Sequence, residues 1–102
     1  MSTKKHFFLK LIPPRSTFAM DMTESERAIM QEHIGYWRQL MQKRIALVFG
    51  PVMDPAGPYG AGIIAVDSEE QAAEITKNDP AVPLNRYEYA PMLAVVNDLL
   101  QA

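Results

Sequence analysis

Four short runs of apolar and β-branched residues alternate with two longer stretches in which apolar residues recur every three or four positions, a pattern that predicts strands interleaved with helices. The first run, His6 to Ile12 (HFFLKLI), ends at Pro13-Pro14, whose missing N–H groups would interrupt a ladder. Phe7, Leu9 and Leu11 share one parity and Phe8 and Ile12 the other, so this strand is expected to be partly covered on both faces. After a connector from Arg15 to Met22, Thr23-Glu24-Ser25-Glu26 spells a capping box and predicts a helix over about Glu24 to Lys43. Its apolar stripe is Met30, Ile34, Trp37, Leu40 and Met41. Glu24 and Glu26 complement the positive end of the helix dipole, and Lys43 and Arg44 the negative end.

Ile45 to Phe49, bounded by Gly50-Pro51, and Gly62 to Val66 (GIIAV) predict the second and third strands. Between them, Pro51 to Ala61 is rich in proline and glycine and reads as a loop of the kind that borders sites. Ser68 with Gln71 offers a second capping box, opening a short helix over Glu69 to Lys77 that Asn78-Asp79-Pro80 stops. Arg86 to Met92 (RYEYAPM) predicts the fourth strand, with Pro91 marking its end or a sheet edge, and Val95 to Gln101 adds a C-terminal turn of helix. The order β-α-β-β-α-β is the α+β, ferredoxin-like split βαβ arrangement: a four-stranded antiparallel sheet with two helices on one face. The other face needs cover, which predicts a homodimer in which two sheets pack together as a dimeric α+β barrel.

Composition narrows the functional classes. A chain of 102 residues with 48% hydrophobic and 22% charged content is one globular domain, taken here as residues 1–102. Ten basic against twelve acidic residues, with no basic cluster, argue against a nucleic-acid partner. The absence of cysteine excludes disulfides, a thiolate nucleophile and Cys-ligated metals. No apolar stretch approaches the roughly 20 residues that span a bilayer, so a cytoplasmic protein without membrane contact is expected. Metal-ligand spacing is absent, as are GxSxG, GxGxxG and Walker loops, and no cofactor is expected.

His33 stands three residues after Met30 and four before Trp37, beside the buried stripe. It is either a core-edge histidine satisfied by a carbonyl or a general base aimed into a pocket between helix and sheet. Asp79, between Asn78 and Pro80, is either a turn former bonding nearby amides or a carboxylate that fixes the tautomer of a histidine on the neighbouring helix. Gly50-Pro51 reads as a strand stop or a close backbone approach, Tyr59 as a residue able to close over a ligand, and Arg86 as a partner for an anionic or phenolic group. Tyr36, Tyr87 and Tyr89 read as packing or interface aromatics.

Taken together, His33, Gly50-Pro51, Gly62, Glu70-Gln71-Ala72, Asp79-Pro80 and Tyr87-Glu88-Tyr89-Ala90-Pro91 resemble the YciI-like (YCII-related) family over about Thr23 to Pro91. The resemblance implies a dimeric α+β barrel and a histidine–aspartate pair at the helix–sheet junction, carried here onto His33 and Asp79. Related barrels include muconolactone isomerase-like enzymes and a dehydrochlorinase of a chlorinated hydroxyhydroquinone. The implied chemistry is therefore a lyase or isomerase moving a proton on a small cyclic or aromatic metabolite. The alternative is a noncatalytic dimeric module that binds a metabolite or a protein through the same cleft. A haem or oxygenase role would require His33 as an axial ligand. The chain departs from the family in carrying Lys43-Arg44 where a glycine usually lies between helix one and strand two, so the helix is expected to end differently.

Overall fold

A computed structural model describes residues 4–97 and orders the elements as β1 (Lys5–Ile12), α1 (Phe18–Asp21), α2 (Glu24–Gln42), β2 (Ala46–Val52), β3 (Tyr59–Val66), α3 (Glu69–Lys77) and β4 (Arg86–Met92). All pairings are antiparallel and the sheet order is β2-β3-β1-β4, the ferredoxin-like α+β arrangement. Register sorts the side chains of the sheet. Phe7 pairs with Ile64 and Pro91, Leu9 with Gly62 and Tyr89, and Leu11 with Gly60 and Tyr87, and Phe7, Leu9, Leu11 and Ile64 are buried in the core. Trp37 and Leu40 of α2 and Ala72 and Ile75 of α3 complete that core, so both long helices cover one face. On the other face Phe8 and Val48 are exposed.

The two long helices begin as their capping residues dictate. At α2, Thr23 Oγ1 accepts from the Glu26 amide and Glu26 accepts from the Thr23 amide, a complete capping box. At α3 the box is half made: Ser68 accepts from the Gln71 amide, but the Gln71 side chain accepts from the Asp67 amide instead of the cap residue's own. The end of α2 corrects the expectation set by the missing glycine. Arg44 adopts φ 63°, its amide bonds Met41 O, and the Ile45 amide bonds Leu40 O, which is the Schellman pattern with arginine in the left-handed position. The helix ends where a glycine would end it, at a backbone cost of about 1 kcal/mol.

Four expectations change. The connector before α2 holds the four-residue helix α1, which lacks a side-chain cap and is instead tied by Thr17 to Asp21 and by Arg15 to both Asp21 and Glu26. Gly50-Pro51 does not stop β2, which pairs onward through Pro51↔Gly60 and Val52↔Tyr59. Proline is tolerated there because β2 is an edge strand, where half the amides point away from the sheet. A Cβ placed on Gly50 would meet nothing within 4 Å, so the close-approach reading fails as well. Tyr59 accordingly opens β3 and does not lie in the Pro/Gly loop. Pro91 lies near the end of β4 and on an edge strand, both of the places open to it. Residues 95–97 are not helical, and the remainder of the turn expected over Val95 to Gln101 lies outside the described residues.

Candidate functional site

Helical spacing places His33 and Trp37 one turn apart on α2, facing the segment that follows α3. There Asn78 ends α3 and Asp79 turns its carboxylate inward, where the side chain is fully buried. Asp79 makes the turn former's bond and meets the histidine as well. Its Oδ1 accepts from the Ala81 amide at 2.9 Å, the bond of a turn former, while His33 Nδ1 lies 3.0 Å from Oδ1 and 2.8 Å from Oδ2. Two further donors converge on Oδ2: Trp37 Nε1–H at 3.1 Å and the Tyr87 hydroxyl. Trp37 Nε1–H also points at the Tyr87 oxygen, 3.1 Å away. The carboxylate thus accepts from three side chains and one backbone amide.

That donor set decides its charge. Burial pushes the Asp79 carboxyl up, but the bonds from His33, Tyr87 and the Ala81 amide outweigh it and hold the group below the usual carboxylate range. The same negative charge, added to burial, raises the Tyr87 hydroxyl well above an ordinary phenol and pushes Tyr36 up to about 12. Tyr87 therefore stays protonated and donates. With Asp79 ionised, the bond to His33 favours a proton on Nδ1, leaving the Nε2 lone pair on the opposite edge of the ring. A group held below its unfolded value stabilises the fold above that value and loses the contribution as pH falls through its folded value. The stability advantage of the wild type over Asp79→Asn is expected to shrink progressively below about pH 4. Urea titrations of both proteins across that range check this.

His33 borders a cavity of about 230 Å³ between α2 and the sheet, walled by Leu9 and Leu11 of β1, Trp37 and Met30 of α2, and Phe49 of β2. Trp37 is stacked on Phe49, with ring centroids 5.6 Å apart, and lies over Gly62, where a Cβ would come within 2.6 Å of the indole. Glycine at position 62 is what allows the tryptophan to lie flat on β3. Pro13, Phe18, Ala19 and Met22 also border the cavity, from a segment fastened to the start of α2 by the Arg15 fork, whose Nη1 and Nη2 reach the two Glu26 oxygens at 3.0 and 2.8 Å.

Of the residues singled out in the sequence, His33 and Asp79 meet, and Gly50, Pro51 and Tyr59 border the cavity. Tyr59 has its ring beneath the Lys10 ammonium at 4.5 Å, a contact that ties it to the sheet. Arg86 is not brought there. It alternates with Tyr87 along β4, is largely exposed, and lies 3.4 Å from Glu88. The packing reading holds for Tyr89, edge-on to Phe7, and for Tyr36, whose hydroxyl donates to Ile75 O and joins α2 to α3. It fails for Tyr87. The alternation in RYEY carried the missing signal, since a strand that turns Tyr87 inward must turn Arg86 outward. Trp37 was legible as core; its N–H, which needs an acceptor when buried, was the sign that it also serves the polar cluster.

Among the described residues no group of three or more His, Asp or Glu side chains is placed to hold a metal ion, and no helix is long and apolar enough to cross a membrane. The family profile described as the YCII-related domain matches residues 7–94. No curated protein matches the chain.

Proposed function

The chain belongs to the YCII-related domain family, and on that premise we propose that it is a small-molecule lyase or isomerase in which His33 moves a proton and Asp79 positions it. The observation that carries this reading is the imidazole held by Nδ1 against a buried, ionised carboxylate while His33 borders an apolar cavity. A base so arranged needs no reorientation when it takes a proton, and the imidazolium that forms is stabilised by the charge behind it. Trp37, Tyr87 and the Ala81 amide fix the carboxylate, so the pair is set before a ligand arrives. The substrate is a small cyclic or aromatic metabolite, by size and lining. The protein acts in the cytoplasm as a homodimer, a state supported by the exposed Phe8 and Val48 on the uncovered sheet face. Light scattering that returns a monomer at micromolar concentration counts against the dimer.

The reading is tested by solvent deuterium exchange and elimination assays on a panel of lactones and phenols, comparing wild type with His33→Gln. A positioned base contributes about 10²–10⁴-fold, and the wild type is expected to exceed the variant by that margin on at least one compound. Equal rates on every compound overturn it. Compounds that bind without any exchange favour a noncatalytic binding module. Nitrogen-15 NMR of the imidazole is expected to show the neutral ring protonated on Nδ1 in the wild type and to lose that preference in Asp79→Asn.

A further inference from the structure

The cavity beside His33 is bordered by no Lys, Arg, Asp or Glu side chain among the described residues. The basic residues around it are committed elsewhere. Arg15 holds Glu26 and Asp21, Lys10 lies over the Tyr59 ring, and Arg86 is turned outward with Glu88. Behind His33 stands the ionised Asp79. A carboxylate entering this space would give up its hydration, meet no counter-charge and face a negative one. Polar contacts are also few. The Tyr87 hydroxyl and the Trp37 N–H are spent on Asp79 and on each other, and Asn85 Nδ2 donates to Ala81 O at 3.0 Å. That leaves the far edge of the His33 ring, with Ser16 and Tyr59 on the same lining, to meet a ligand's polar atom. Size sets the last limit: an apolar cavity of roughly 150 Å³ suffices for benzene, so about 230 Å³ accommodates one ring with small substituents.

We infer that the cavity takes an uncharged single-ring compound carrying one hydrogen-bonding group, and that it discriminates against carboxylated analogues of the same ring. The inference rests on the reading that His33 addresses the ligand, and it replaces the anion-binding part considered for Arg86. Met22 and Met30 border the same space as Trp37, Phe49 and Phe18, a lining that suits an aromatic or flat alicyclic ring through sulfur–ring and ring–ring contacts.

The test uses three probes of one shape: toluene, 4-methylphenol and 4-methylbenzoate. Binding is followed by the indole N–H resonance of Trp37, the chain's one tryptophan, which borders the cavity and donates to Asp79. The expected result is saturable binding of 4-methylphenol, with 4-methylbenzoate at least about tenfold weaker because its charge is buried unpaired, and toluene weaker than the phenol for want of the His33 bond. Equal or tighter binding of 4-methylbenzoate overturns the inference, as does an indole resonance unmoved by all three probes at millimolar concentration. The readout is occupancy and not turnover. A bound phenol with no proton exchange on any compound therefore sinks the proton-transfer reading and sustains the ligand class, whereas exchange on a carboxylated substrate alone does the reverse.

Discussion

Asp79→Ala is expected to destabilise the protein by about 3–5 kcal/mol, because it strands three converging side-chain donors and a backbone amide in a dry interior. The cost comes less from bonds lost than from what remains. The Trp37 N–H and the Tyr87 hydroxyl would be left with each other but without an acceptor of charge, and the His33 ring would lose the group that orients it. A single domain has roughly 5–15 kcal/mol in total, so this substitution takes a large share of it. Urea unfolding monitored by Trp37 fluorescence measures the loss. Tyr87→Phe removes one donor and leaves the others in place, and its cost is expected to be about 1–2 kcal/mol. A cost for Asp79→Ala no larger than that of Tyr87→Phe would show that the carboxylate is not the centre of the cluster. If Asp79→Ala fails to fold, Asp79→Asn, which keeps one acceptor oxygen, supplies the same comparison at smaller amplitude.

Gly62→Ala is the second large effect, about 2–4 kcal/mol of destabilisation, although alanine is ordinarily the better strand residue by roughly 0.5–1 kcal/mol. The added methyl would lie 2.6 and 2.7 Å from Cη2 and Cζ3 of Trp37. Such separations do not occur between real atoms, so the indole must move. Trp37 is almost wholly buried, stacked on Phe49 and bonded to Asp79, so the shift reaches the packing of α2 on the sheet and the site together. The clash is specific to the six-membered part of the indole. In a Trp37→Phe background the cost of Gly62→Ala is therefore expected to fall by more than half, and a double-mutant cycle reads that coupling directly. Additive costs would place the strain somewhere other than this contact.

The acid end of the stability curve and these two substitutions address one object, a carboxylate that four donors keep charged. Its charge is also why the cavity in front of His33 suits uncharged ligands, so charge on Asp79 links stability, tautomer and ligand class. A variant that neutralises it, such as Asp79→Asn, is expected to relax all three together.

The local chemistry of the chain was enough to mark the four strands and the two long helices. Thr23 and Ser68 mark helix starts because a hydroxyl satisfies an amide only two or three residues away, and HFFLKLI and GIIAV mark strands because β-branched and aromatic residues fit a pleat. His33 stood out because a titratable ring beside an apolar stripe is unusual, whereas Asp79 read equally well as a turn former and was paired with His33 by the family resemblance. Partnership across 46 positions is not a local property, and only the packing of α2 against the end of α3 brought them within hydrogen-bond reach. The same holds for what the sequence misplaced. Pro51 stays in a strand because the sheet order makes β2 an edge, and Arg44 takes the left-handed turn because β2 must follow α2 there. The helix α1 exists because Arg15 has Glu26 to grip, and Tyr87 joins the site because antiparallel pairing sets it opposite Leu11, on the helix side of the sheet. Hydrogen bonds and side-chain periods within a few residues are written in the chain, while the choice of edge, face and distant partner is made only when the layers close on one another.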